Sequence, residues 1–172
     1  DAEIPRVIYS IFSQLDFGKF TIRVSNRKIL SGLIKHLELS SSSVEVMRVI
    51  DKVDKISRTE FIAELKKLGM NTDQIDLLNQ YVFAEGDSDS ILATLRAAKI
   101  DSLELQQGIE ELESVVSLMR NMGIPDNYFR IDLTIARGLD YYTGTIYETT
   151  LDDYPRLGSV CSGGRYDDLA SH

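Results

Sequence analysis

The chain has 172 residues, 43% hydrophobic and 27% charged, a balance that suits a folded domain and excludes a disordered tail. A formal net charge of −8 argues against a dedicated nucleic-acid module, so any RNA contact would fall to a local basic face. Cys161 is the only cysteine, which excludes an internal disulfide, and with only His36 and His172 beside it a conventional zinc site is excluded too.

No apolar run approaches the ~20 residues of a membrane helix, and no leader peptide is visible. The chain opens on Asp1-Ala2-Glu3 without a Met, which reads as a piece of a longer protein. Ile4, Val7, Ile8, Ile11, Phe12 and Leu15 recur at helical spacing, with Pro5 tolerable only near a helix start, so Glu3 to Leu15 reads as a helix closed by Phe17-Gly18. Phe20, Ile22 and Val24 alternate and predict a strand. Asn26 can cap the helix that carries Ile29, Leu30, Leu33, Ile34 and Leu37.

The serine run Ser40 to Ser43 marks a change of character. From there to about Asn121 every segment reads as helix. Val46, Val49, Ile50, Val53 and Ile56 form one stripe from Val44 to Ile56. Ser57-Arg58-Thr59-Glu60 is a capping box that starts a second helix, stopped by Gly69. Thr72 to Phe83 and Ser88 to Ala98 follow, separated by Glu85-Gly86-Asp87. A longer helix from Leu103 to Met122 ends at Gly123, and Pro125 leads back to strands. The expected organisation is a segment 1–39, a helical insertion 40–121 and a segment 122–172 that returns to the first sheet.

Phe129 to Ala136 alternates apolar and polar residues and predicts a half-buried strand. The alternation resumes from Thr145 to Thr149. A strand, a reversal and a strand would gather Arg137, Asp140, Tyr141 and Tyr142 at one end of a sheet, with Gly138 and Gly144 easing the bend. A third short strand, Ser159 to Cys161, would end at Gly163 and Gly164, whose bare backbone a ligand could approach. On residue chemistry alone, Arg137 is either an anion ligand or a partner of Asp140 or Asp132, and each tyrosine is either a pocket wall or a core residue. By strand alternation Tyr141 and Tyr142 would point to opposite faces. Cys161 reads as a small buried residue and His36 as a surface one.

The words RGLDYYTG, from Arg137 to Gly144, and GSVCSGGRYDD, from Gly158 to Asp168, resemble the two histidine-specific signatures of histidyl-tRNA synthetases. Phe20 to Leu30 is similar to a strand and helix of the same family, and Val49 to Lys55 to the start of its helical insertion in eukaryote-like members. The resemblance implies an α+β fold: part of a class II synthetase antiparallel sheet with flanking helices, interrupted by an all-α insertion. It implies that the full enzyme activates L-histidine with ATP and magnesium, transfers it to the 3′ end of tRNA(His), and works as a cytoplasmic homodimer. Arg137 would face the histidine carboxylate and the α-phosphate, Tyr141 and Tyr142 would line the imidazole pocket, and Gly163 and Gly164 would floor it. The insertion would clasp the tRNA acceptor arm, with Arg48, Lys52, Lys55 and Arg58 available to phosphates. By the same resemblance the three general class II motifs lie outside this chain, so the chain alone is expected to be inactive. Two relatives without synthetase activity compete with this reading: the regulatory subunit of ATP phosphoribosyltransferase, expected to lack the helical insertion and to carry a looser RGLDYY stretch, and a tRNA-sensing pseudo-synthetase domain with degenerate signatures.

Overall fold

The structure is a computed structural model and describes residues 1–135 and 141–167. Arg137 and Asp140 lie outside the described residues, as does His172. The elements run α1 (Glu3–Leu15), β1 (Phe20–Asn26), α2 (Arg27–His36), α3 (Ser43–Ile50), α4 (Arg58–Lys67), α5 (Thr72–Val82), α6 (Ser88–Ala97), α7 (Leu103–Asn121), β2 (Phe129–Ile131), β3 (Thr145–Leu151) and β4 (Ser159–Gly164).

Four strands form one sheet in the order β2-β1-β3-β4. One face of β1, built from Phe20, Ile22 and Val24, is fully buried together with Phe129 and Ile131 of β2 and Tyr147 and Leu151 of β3. Burying each such side chain is worth about 1.5–3 kcal/mol, which is enough to set strand register. The helices α7 and α1 pack on this face, with α2 against α7. The opposite face carries the alternate residues, Thr21, Arg23 and Ser25 of β1 beside Thr150, Glu148 and Ile146 of β3.

Caps place the helix starts. Asn26 accepts from the Lys28 amide at 3.0 Å, and Ser57 with Glu60 forms the reciprocal box expected from sequence. A second box, Asn71 with Gln74, starts α5. Gly69 and Gly123 take the left-handed backbone that ends α4 and α7, at φ of 85° and 80°.

The helix α7 returns the chain from the helical block to the sheet, and it does so by lying antiparallel and very close to α2. A Cβ on Gly32 would stand 2.6 Å from the Leu105 amide nitrogen, and one on Gly108 would stand 2.8 Å from that of Ile29. Hydrogen bonds flank the seam, from Lys28 and Asn26 to Glu111 at one end and from Lys35 to Glu104 at the other. The insertion expected over 40–121 therefore includes a helix packed against α2 and β1, and one continuous apolar core runs through both parts.

Four expectations change. The strand expected over Phe129 to Ala136 ends at Ile131, because the Asp132 carboxylate accepts from the Thr134 amide at 3.0 Å and turns the chain. The strands β2 and β3 are not hairpin neighbours. They lie on opposite edges of β1, β2 parallel to it and β3 antiparallel, because the exposed hydrogen-bonding groups of β1 serve both. The helix expected to reach Ile56 ends at Ile50 and continues as a 3₁₀ turn over Val53–Lys55, which keeps the apolar stripe while the backbone tightens. The strand expected to end at Cys161 runs on through both glycines, which pair with Ile146 and Tyr147.

Arg23, with a side chain only 10% exposed, crosses these elements. Its Nε donates to Asp132 at 2.7 Å, one terminal nitrogen to Glu148 at 3.0 Å, and the other to Thr134 at 2.7 Å and Asp54 at 3.2 Å. Burial works to raise the Asp132 pKa, but the Arg23 hydrogen bond and charge, with the Thr134 contacts, outweigh it and hold Asp132 below the usual carboxylate range.

Two stability predictions follow from this packing. Gly32→Ala should lower stability by about 1–3 kcal/mol despite alanine's better helix propensity, because the contact it forces is with backbone. Urea unfolding of the chain measures it, and an unchanged or raised midpoint would contradict the close seam. Arg23→Met should cost about 3–5 kcal/mol at neutral pH by leaving buried carboxylates unpaired. Since the folded Asp132 pKa is depressed, its contribution is present above the unfolded value of about 3.9 and disappears as pH falls through the folded value. The stability gap between wild type and Arg23→Met should therefore narrow as pH drops below about 5. A pH-independent gap would mean that packing, not charge, sets the cost.

Candidate active site

The C-terminal end of β1 is where the two signature stretches meet. Asn26 pairs with Thr145, the first residue of β3, and the Arg27 amide donates to the Gly144 carbonyl at 2.8 Å. Residues 141–144 are not a strand, so the alternation expected to split the two tyrosines does not apply. Their rings are 4.4 Å apart at 62°, and the Tyr166 ring lies 5.7 Å from Tyr141. Tyr141 is 46% exposed, whereas Tyr142 is half-buried. Burial, and then a hydrogen bond with Tyr141, push the Tyr142 phenol above its ordinary pKa, so at neutral pH it keeps its proton and can donate.

Gly164 explains why one glycine is needed here. A Cβ at that position would stand 2.7 Å from Cδ1 of Tyr142, so the ring of one signature lies close against the backbone of the other. Gly163 faces the other way and would meet nothing within 4 Å. Of the two glycines, Gly164 is the one that Tyr142 abuts. The second stretch is tied back to the first twice: the Thr143 amide donates to the Arg165 carbonyl at 2.9 Å, and the Thr143 hydroxyl to Asp167 at 2.7 Å. Arg165 and Asp167 pair at 2.8 Å.

On the same face of the sheet is a cavity of about 290 Å³. Arg23, Glu148, Thr134 and Ile135 line one side of it, and Asp51, Asp54 and Lys55 from the helical block line another. Asp132, a possible partner for Arg137 from sequence, is engaged by Arg23 and Arg130; the pairing with Arg137 lies outside the described residues. Sequence reading missed this cluster. Its signal was a charge flanked on both sides by apolar, aromatic or β-branched residues at three places: Arg23, Asp132 and Glu148. Buried charges of that kind need partners, and cross-strand register supplies them.

The four basic residues considered for RNA are all exposed, but they are not equivalent. Arg58 lies over the Phe83 ring at 4.8 Å, and Lys55 is at the cavity mouth. Arg48 and Lys52 point from the end of α3 and the turn after it. His36 is exposed at the end of α2, as sequence suggested, whereas Cys161, read as buried, is only half-buried against the core. Among the described residues no group of three or more His, Cys, Asp or Glu is disposed to hold a metal ion.

A profile of the family described as histidyl-tRNA synthetase matches residues 1–172. The histidine–tRNA ligase of Clostridium tetani is 45% identical over 172 residues, all of this chain and 39% of the relative. The crystal structure of histidyl-tRNA synthetase from Nostoc sp. PCC 7120 superposes with a TM-score of 0.95 at 40% identity, over 99% of this chain and 41% of that one. The chain thus spans about two fifths of the length of these relatives. A protein from Bacillus halodurans titled ATP phosphoribosyltransferase regulatory subunit/histidyl-tRNA synthetase shares the fold at a TM-score of 0.82 and 20% identity, over 99% of this chain and 43% of that one. That coverage takes in the helical block. The profile match over residues 1–172 and the 45% identity over the whole chain place it in the histidyl-tRNA synthetase family.

Proposed function

We propose that the protein containing this chain is a histidine–tRNA ligase, which joins histidine to ATP as histidyl-adenylate and then esterifies the 3′ end of tRNA(His). The packing of Tyr142 on Gly164 carries the reading, because it makes one site of the two histidine-specific stretches. In the activation step the histidine carboxylate attacks the α-phosphorus of ATP, a phosphorus–oxygen bond breaks, and pyrophosphate leaves with magnesium as its counterion. Negative charge gathers on the α-phosphoryl oxygens. A guanidinium that cannot lose its proton suits that charge, which is the role assigned to Arg137.

Tyr142, protonated and backed by Gly164, can donate to an imidazole nitrogen while its ring closes the pocket, with Tyr141 against its edge. Gly163 leaves backbone open on the adjoining edge. The helical block supplies the tRNA contact, and the ligase works as a cytoplasmic homodimer. Family membership supports these points, and no helix among the described residues is long and apolar enough to cross a membrane.

The test uses the full-length parent. Histidine-dependent exchange of pyrophosphate into ATP should be present, and its absence would remove the proposed function. Arg137→Ala should lower the activation rate roughly 10²–10³-fold at saturating histidine, as loss of one preorganised donor does. Tyr142→Phe should mainly weaken histidine binding and admit analogues lacking the hydrogen-bonding nitrogen. If Arg137→Ala changed only histidine affinity, Arg137 would be a carboxylate anchor and not a stabiliser of the reacting phosphate.

Charge reversal at Arg48 and Lys52, the two basic residues committed to neither the Phe83 ring nor the cavity, should raise the KM for tRNA. Pyrophosphate exchange should not change. An unaltered tRNA KM would make them an ordinary solvated face.

A further inference from the structure

Ser162 stands on β4 two residues before Gly164, so its side chain leaves the strand on the face where the Tyr142 ring packs. Strand pairing gives the same face. Gly164 lies opposite Ile146 and Ser162 opposite Glu148, and both partners belong to the polar face of the sheet. The register shift in this pair falls between Thr149 and Thr150, so alternation holds from Ser162 to Gly164. Ser162 is exposed, and its hydroxyl bonds to no described residue. The neighbouring small hydroxyls are used within the chain: Thr143 on Asp167, Thr145 on Asp1, and Ser159 on the Cys161 carbonyl.

Two residues of strand cover roughly 7 Å, about the reach of a histidine from its ring to its α-ammonium. On one side of Gly164 the strand ends and Arg165 is tied back to Thr143. On the other side the face leads past Ser162 and Glu148 to the cavity beside Arg23. An amino acid with its imidazole at Tyr142 and its length along β4 therefore brings its other end over Ser162.

Charge then selects the group at that end. The cavity is lined by Asp51, Asp54 and Glu148 against Arg23 and Lys55, and Asp132 also engages Arg23. Carboxylates outnumber bases there, which favours a cation and disfavours the histidine carboxylate. A serine hydroxyl has two lone pairs and can accept from an ammonium.

We propose that Ser162 is a histidine-binding residue whose hydroxyl accepts a hydrogen bond from the α-ammonium of the amino acid held at Tyr142. This rests on the ligase reading above.

The test is histidine-dependent pyrophosphate exchange by the full-length parent, with two competitors. Histidinol keeps the ammonium and lacks the carboxylate; imidazolepropionate keeps the carboxylate and lacks the ammonium. Ser162→Ala should raise the KM for histidine and the inhibition constant of histidinol roughly tenfold, the effect of one hydrogen bond to a charged group. The inhibition constant of imidazolepropionate should not move. Ser162→Thr, which keeps the hydroxyl, should hold most of the histidine affinity. Unaltered constants for histidine and histidinol in Ser162→Ala would overturn the proposal. An equal loss for all three molecules would overturn it too, by placing Ser162 against the ring, and so would equal losses in the Ala and Thr variants, by making shape the cause. No exchange by the unaltered parent would instead overturn the ligase reading itself, and this inference with it.

Discussion

The close seam between α2 and α7 is the contact on which the rest of the chain depends. The chain leaves β1 through α2, makes its helical block, and must come back to lay β2 beside β1. Gly32 and Gly108 let α7 approach α2 until backbone meets backbone, at distances that exclude any side chain. At that spacing Leu105, Ile109, Leu112 and Val116 bury against the same core as Ile29 and Leu33. The 19 residues of α7 span roughly 28 Å, which carries the chain across the sheet in one rigid piece. Dispersion and apolar burial act over short range, so a seam held one side chain further apart would forfeit much of this packing.

Polar interactions complete what that seam begins. On the polar face of the sheet, order comes from directional contacts. Arg23 gathers Asp132, Glu148, Thr134 and Asp54, and in doing so ties both neighbours of β1 to the helical block. Such a cluster is not a large source of net stability, because desolvation opposes it. What it provides is specificity of arrangement: few alternatives satisfy three carboxylates and one guanidinium together. The tyrosine pair and Gly164 stand near the C-terminal end of β1.

Much of this was legible beforehand. The helix starts at Asn26 and Ser57 and the stops at Gly69 and Gly123 follow from local chemistry, and each appears where its cap predicts. The two signature stretches pointed to one site, and the structure brings Tyr141, Tyr142 and Gly164 together. Where local rules misled, a longer-range or side-chain interaction overruled the pattern. Alternation through Ile135 suggested a strand, but the Asp132 carboxylate captured the Thr134 amide and ended it. Alternation also sent the tyrosines to opposite faces, yet their segment has no strand partner to enforce it.

The sequence by itself determined the helices, the capped and glycine-stopped ends among them, and the family, because periodicity, capping and glycine conformation act within a few residues and the signatures are contiguous words. Only the tertiary structure decided that β2 lies parallel to β1 on the far edge from β3, that one glycine and not two supports Tyr142, and that Arg23 joins partners up to 125 positions away in the chain. Those facts depend on which surfaces meet when helices and strands compete for one core. No local pattern encodes the distance between residues that only packing brings together.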